Sequence, residues 1–339
     1  MKLGIVGLPG AGKSTIFEAL TKNFLIDGRR EENRFSAIRV PDERVDVLSR
    51  MFTPRKTIYA QVEYFLPGTS GHQKDSIWTK TRDCDALIHV IRNFQDYGME
   101  AALPYQDFIR LDQELILSDL VVVEKRLERL ELDQKRGLKI DQEEFSLLNE
   151  CRKILEGEKP LRKYSDLSTA PALKGYAFLT AKPMLVLFNN EDEDDKPPQA
   201  SELTSPENMM VVRGRLEHEL AQLTEEEAEE FLTAFGITDS AMDRVIKRSY
   251  ELLGLISFFT VVNNEVRAWT ITHGTEALDA AGVIHTDMKK GFIRAEVVSY
   301  SDLMDAGSYK EARNRGTVRL EGKTYVVQDG DIIHFRFNV

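Results

Sequence analysis

No apolar run in this sequence approaches the roughly 20 residues that a bilayer-spanning helix requires, so no membrane segment is expected. Cysteine is nearly absent. Cys84 and Cys151 are the only two, far apart and outside any CxxC spacing. That spacing argues against a disulfide framework and a thiolate zinc site, and fits buried thiols in a reducing compartment. Histidine is scarce too, and His72, His273 and His334 have no carboxylate or cysteine at ligand spacing, so a metal centre is not indicated. The first residues turn glycine-rich by Gly7 instead of forming a secretory leader, so the expected location is the cytoplasm. Surplus positive charge is also missing: the formal net charge of −11 argues against bulk, sequence-independent adhesion to nucleic acid. The deficit is uneven. Residues 255–339 carry ten Lys/Arg against eleven Asp/Glu, which leaves a local RNA contact open there.

What is present begins at the N-terminus. Lys2 to Val6 is a short apolar run entering a glycine loop, and residues 14–22 read as a helix, the opening of a doubly wound sheet. Residues 57–66, 86–91, 183–188 and 208–212 are further strands, apolar without strict alternation, as in a parallel sheet buried on both faces. Between them Ile116, Leu120, Val123, Leu127 and Leu130 recur at helical spacing, Gly137 breaks the pattern, and Phe145, Leu148, Cys151 and Leu155 supply a facing helix. We read 107–156 as an antiparallel helical hairpin within an insertion of about 104–165, long enough to project as a recognition arm. Thr224 with Glu227 makes a capping box for a helix ending at Gly236, and a second helix spans 240–253. After Gly254 the pattern changes to short strands at 256–262, 266–271, 292–299, 323–327 and 332–337. The expected division is a nucleotide domain over 1–254 and a small α+β domain over 255–339.

The loop carries the chemistry. Gly7-Leu8-Pro9-Gly10-Ala11-Gly12-Lys13-Ser14 matches GxxxxGK[ST] and continues into Thr15. Gly7, Gly10 and Gly12 permit positive φ, so that residues 9–15 wrap the phosphates and the backbone N–H groups after Pro9 converge on phosphate oxygens at a helix N-terminus. Lys13 is expected to reach the β- and γ-phosphates of ATP or GTP, and Ser14 to offer its hydroxyl to Mg²⁺. Leu185-Val186-Leu187-Phe188 ends in Asn189-Asn190-Glu191-Asp192, an Asn-x-x-Asp spacing for purine recognition. The Asp192 carboxylate suits guanine N1–H and N2–H₂, and the Asn189 amide braces the loop; Asn190 stands where GTPases stack a lysine over the base.

Several stretches resemble the YchF (Obg-like) family of P-loop proteins: Gly4-Ile5-Val6-Gly7-Leu8-Pro9, Asp85-Ala86-Leu87-Ile88-His89-Val90-Ile91-Arg92, and Phe178-Leu179-Thr180-Ala181-Lys182-Pro183. The tail is the most specific. Val266-Arg267-Ala268-Trp269-Thr270-Ile271, Ile284-His285-Thr286-Asp287, Lys290-Gly291-Phe292-Ile293-Arg294-Ala295, Asp329-Gly330-Asp331-Ile332 and Phe337-Asn338-Val339 look like that family's C-terminal TGS domain. The resemblance implies a Ras-like α/β nucleotide domain interrupted by a helical coiled-coil arm and followed by TGS. It also implies ATP hydrolysis and a ribosome or RNA contact through the arm and TGS domain.

The departures bear on activity. Between Phe35 and Pro41 stands only Ser36-Ala37-Ile38-Arg39-Val40, without the family's switch threonine. Glu63-Tyr64-Phe65-Leu66-Pro67-Gly68 keeps the glycine of Asp-x-x-Gly but not the aspartate. The loop after Arg92 lacks the family's histidine, and the base motif ends in Asp192 rather than Glu. His72, beyond Gly68, is a weak candidate for orienting water. His285, Lys289, Lys290 and Arg294 are either structural or RNA-facing, and Trp269 reads as a core anchor. Two functions stay open: a nucleotide-binding module with little turnover, and a slow triphosphatase acting as a translation-linked switch. The missing groups are those that phosphoryl transfer depends on, which favours the first.

Overall fold

The computed structural model describes the chain except residues 25–31, 69–73, 97, 99, 199–207, 235–239, 263 and 339. His72, Gly236 and Val339 therefore lie outside the described residues. The elements run β1 (Lys2–Val6), α1 (Lys13–Thr21), β2 (Arg34–Arg39), α2 (Glu43–Phe52), β3 (Lys56–Ile58), β4 (Gln61–Leu66), α3 (Lys74–Thr81) and β5 (Ala86–Asn93). Two long helices follow, α4 (Pro104–Lys135) and α5 (Gln142–Glu156). Then come α6 (Ser165–Ser168), β6 (Met184–Asn190), β7 (Met209–Val212), α7 (Gly214–Leu220), α8 (Glu225–Ala234) and α9 (Ala241–Leu252). The remainder holds β8 (Leu255–Val262), β9 (Glu265–Thr272), α10 (Ala277–Ile284), α11 (Thr286–Lys290), β10 (Phe292–Ser299), α12 (Tyr300–Ala306), α13 (Tyr309–Asn314), β11 (Arg319–Glu321) and β12 (Asp331–Phe337). Two compact units result, Met1–Ala37 with Glu63–Val245, and Ile38–Val62 with Ile246–Val339.

The first unit is built on a sheet of order β2-β4-β1-β5-β6-β7. β1 runs parallel to both β4 and β5, β5 to β6, and β6 to β7. Chain order therefore reverses beside β1, and the crevice past its C-terminal end is the place where such sheets bind ligands. The apolar runs of β5 and β6 are buried on both faces, as their lack of alternation implies.

α4 packs in two places along its length. Phe108, Leu111 and Leu115 lie against Val6, Leu87, Ile91, Val186 and Phe188 of the sheet. Further along, Ile116, Val123, Leu127 and Leu130 pack with Leu148, Cys151 and Leu155 of α5. The hairpin read from the spacing is present, and its root also covers the sheet of the first unit. Gly137, at φ 76°, closes α4: its N–H reaches the Gln134 carbonyl at 3.0 Å, and the Leu138 N–H reaches the Asp133 carbonyl at 3.0 Å. Asp141 caps α5 through the N–H groups of Glu143 and Glu144. Asp119 of α4 is fully buried. It accepts from Arg82 Nη1 at 2.7 Å, the Leu179 N–H at 3.1 Å, and the Thr180 N–H and hydroxyl at 2.7 Å each. Both cysteines are buried, and burial pushes the Cys84 thiol up to about 11 and the Cys151 thiol to about 12, so both are inert.

The second unit has a sheet of order β11-β10-β12-β8-β9-β3. One face packs Phe258, Ile271, Ala295, Val297, Ile333 and Phe335 against the alanines Ala277, Ala280 and Ala281 of α10. Trp269 is the expected anchor there, its Nε1 donating to Thr260 Oγ1 at 3.0 Å.

Two expected strands differ. Residues 57–66 divide between β3, which pairs parallel with β9, and β4, which pairs with β1. Apolar content marked both pieces as strands but carried no information about partner choice. Residues 323–327 form no ladder strand. The Lys323 and Tyr325 carbonyls instead accept the N–H groups of Leu278 and Ala277, and the Val327 N–H donates to Thr275, so this stretch satisfies its backbone against the start of α10.

Candidate nucleotide-binding site

β1 delivers the chain to the crevice at Gly7. The backbone there has φ 154° at Gly7, 79° at Gly10 and 92° at Gly12, values that side chains rarely adopt. Two of these glycines are also required sterically. A Cβ on Gly7 would run into the Val90 carbonyl oxygen, and one on Gly12 into the Asn189 amide. Gly12 is the left-handed N-cap of α1, and its carbonyl accepts the Ile16 N–H at 2.9 Å. Pro9 and Gly10 are exposed, Ala11 is buried, and residues 12–15 are half-buried. The loop thus leads directly into the positive end of α1, the kind of helix terminus that favours anions.

Lys13 folds back over this loop. Its Nζ donates to the Gly7 carbonyl at 2.9 Å and the Leu8 carbonyl at 2.7 Å. Burial pushes its pKa down to about 8, because the ammonium has lost water without gaining a full counter-charge. Ser14 places its hydroxyl in the first turn of α1. Among the described residues no group of three or more His, Cys, Asp or Glu forms a metal-binding cluster. The Ser14 hydroxyl is an oxygen donor of the kind Mg²⁺ takes alongside phosphate oxygens and water.

Asn189, at the end of β6, is buried and braces the loop from behind. Its Nδ2 donates to the Ala11 carbonyl at 3.1 Å, while its Oδ1 accepts the Gly214 N–H at 2.9 Å. Gly214 was missed in the sequence. A side chain there would strike the Asn189 carbonyl, and the only signal is a glycine opening the helix after β7. Asn190 is buried as well. Its Oδ1 accepts from Asn93 at 2.9 Å and its Nδ2 donates to the carbonyls of Asp194 and Lys196, so this side chain shapes the acidic loop. Asp192 accepts the Leu216 N–H at 3.2 Å, capping α7, and its other oxygen lies 3.9 Å from Arg215 Nε. Lys13 and Asn189 therefore meet at the cradle, whereas Asn190 and Asp192 belong to the adjoining loop.

Around the site, Phe65 stands three residues before Gly68 and is buried, stacked on Phe35 at 4.6 Å between ring centres. The Gly68 N–H donates to Asn33 at 3.0 Å. His89 of β5 is buried against Phe108, and desolvation, helped by the charges of Arg162 and Lys13, pushes it down to about 3, so it is neutral.

A sheet whose first strand runs parallel to its neighbours and feeds a glycine loop, a helix N-terminus and a half-buried lysine defines a P-loop nucleotide-binding protein. The family model described as YchF-GTPase_C, protein of unknown function (DUF933), matches residues 255–338. The ribosome-binding ATPase YchF of Bacillus subtilis (strain 168) is 38% identical over 365 aligned residues, covering 99% of each chain. The ribosome-binding ATPase YchF of Haemophilus ducreyi is 37% identical, over 100% of this chain and 99% of its own length. The structure of the Schizosaccharomyces pombe YchF GTPase superposes with a TM-score of 0.85 at 31% identity, over 99% of this chain and 97% of that one. The chain belongs to the YchF family.

Proposed function

We propose that this protein binds a purine nucleoside triphosphate, ATP or GTP, with Mg²⁺ at residues 9–15, turns it over slowly if at all, and acts in the cytoplasm in association with the ribosome. The carrying observation is the cradle: three glycines at positive φ lead into the α1 N-terminus, and the Lys13 ammonium lies over the same loop on the Gly7 and Leu8 carbonyls. Backbone N–H groups and Lys13 hold the phosphates, and Ser14 holds the ion, which neutralises phosphate charge when bound. Asn189 keeps the loop in shape, and Asp192 would read the base through the oxygen that does not cap α7, in competition with Arg215. The arm and the C-terminal domain, 255–339, are the surfaces for a ribosomal or RNA partner, in line with relatives named as ribosome-binding.

Low turnover follows from the groups around the phosphates. The aspartate of Asp-x-x-Gly is replaced by the buried, apolar Phe65. Residues 36–40 bring no threonine, and the loop after Arg92 brings no histidine. Positioning and charge stabilisation are nearly all that phosphoryl transfer asks of a protein. The second reading, a slow ATPase serving as a switch, is supported by intact Lys13 and Ser14 and by relatives named ATPases.

Calorimetric affinities and turnover measured on one sample separate the two. Tight Mg²⁺-dependent triphosphate binding, strongly weakened by Lys13→Ala and unaffected by Lys2→Ala, is expected, with co-sedimentation on ribosomes. Equal affinities of those two variants would remove the P-loop assignment.

A further inference from the structure

Away from the cradle, the second unit carries a groove of about 490 Å³ on the sheet face opposite α10. That volume lies within the range of small-molecule sites, roughly 300–1,000 Å³. Its floor is Glu296 of β10, with both oxygens engaged. Oε1 accepts from the Tyr309 hydroxyl at 2.8 Å and Arg313 Nη2 at 3.1 Å, and Oε2 accepts from Arg336 Nη2 at 2.5 Å. The carboxylate is buried, while the Arg313 and Arg336 side chains are 62% and 46% exposed, so most of their remaining donors are available to the groove.

One buried anion thus fixes two guanidiniums close together. Each spends one N–H on it, out of the five a guanidinium carries. Two more side chains stand on the same face, one of them a further cation. Arg294 is the cross-strand partner of Arg336, and exposed His334 is the partner of Glu296. Like charges directly opposite each other on an antiparallel pair are destabilising unless something neutralises them. Glu296 supplies one negative charge against the two arginines bonded to it. The wall of the groove is apolar, formed by Phe52 of α2, Val261 and Ile332.

We propose that this groove is a second ligand site, distinct from the cradle, which takes one small phosphate monoester with an apolar or aromatic body. The dianionic head sits on Arg313 and Arg336, and the body lies against Phe52 and Val261. Paired guanidiniums match phosphate oxygens by geometry as well as charge. The cations converge on one point rather than forming a track, and the chain's net charge of −11 opposes a polyanion, so a single head group fits better than a nucleic-acid backbone.

The test uses the full chain with Lys13→Ala, so that the cradle's ammonium does not contribute, titrated calorimetrically with phenyl phosphate and with inorganic phosphate. Saturable one-to-one binding of phenyl phosphate, tighter than phosphate, is expected. Arg313→Gln and Arg336→Gln should each weaken it roughly tenfold or more. Arg313→Lys, which keeps the charge and loses the fork, should fall between, and unchanged thermal midpoints show that the fold is kept. Lys290→Ala, outside the groove, should have no effect. The proposal is overturned by absent saturation, by phenyl phosphate binding no better than phosphate, or by indifference to both glutamine variants. It is equally overturned if a single-stranded RNA lacking a terminal phosphate binds more tightly with the same arginine dependence.

Discussion

Lys13 gives nucleotide binding a pH dependence opposite in sign to that of folding. In the free chain its pKa is about 8 instead of 10.5, and that difference corresponds to about 3 kcal/mol for carrying the charge at this position. A bound triphosphate supplies the missing counter-charge and returns the pKa towards or above its ordinary value. Between about pH 8 and 10.5, binding therefore takes up a proton, and affinity falls by up to about tenfold for each pH unit. At pH 9 roughly nine-tenths of the free lysines are neutral, so uptake should approach about 0.9 proton per nucleotide. Stability of the free fold runs the other way. The unfolded lysine binds more protons in this window, so the fold gains stability as pH rises through it. Calorimetry in buffers of different ionisation enthalpy measures the uptake, and urea unfolding at the same pH values measures stability. Affinity that stays flat from about pH 7.5 to 9.5, or a slope that survives in Lys13→Ala, would refute the reasoning.

Asp119→Ala should lower unfolding free energy by about 3–5 kcal/mol, because it removes the counter-charge of Arg82 and strands two buried N–H groups; a urea series showing less than about 1 kcal/mol would mean that Asp119 does not anchor α4. One Asp192 oxygen already caps α7, so base selection rests on a single acceptor, and Asp192→Glu should move the GTP-to-ATP affinity ratio by roughly fivefold towards ATP. An unchanged ratio takes Asp192 out of base recognition. A fragment of residues 255–339 is expected to fold with a lower urea midpoint than the same fragment joined to residues 38–62. The latter supply β3 along β9, and Arg44, which bonds Asp329 at 2.7 Å; equal midpoints would show that this segment contributes nothing to the unit.

Local chemistry was legible where it needs no distant partner. The glycine spacing of residues 7–14 dictates its own backbone, since positive φ and a helix N-terminus follow from residue type. Likewise the spacing of Ile116, Val123, Leu127 and Leu130 dictates one helical seam, and Gly137 its end. The bracing role of Asn189 was legible through the motif it opens, and the structure supplies its partners, Ala11 and Gly214.

Tertiary structure decided whatever depends on which surface an element meets. Residues 57–66 have one composition and two destinations, because strand propensity does not encode which sheet edge is free. Asn190 and Asp192 look in sequence like neighbours of Asn189 facing one base. Loop geometry turns Asn190 inward to Asn93 and sets Asp192 on the α7 N-terminus. The grouping of Glu296, Tyr309, Arg313 and Arg336 has no periodicity to betray it, since a helix, two strands and their register bring them together. The glycine loop and the family are legible in the chain alone, because both reside in short contiguous runs. Only the folded chain determined which polar groups share a buried space, because desolvation and pairing are properties of that space and not of any single segment.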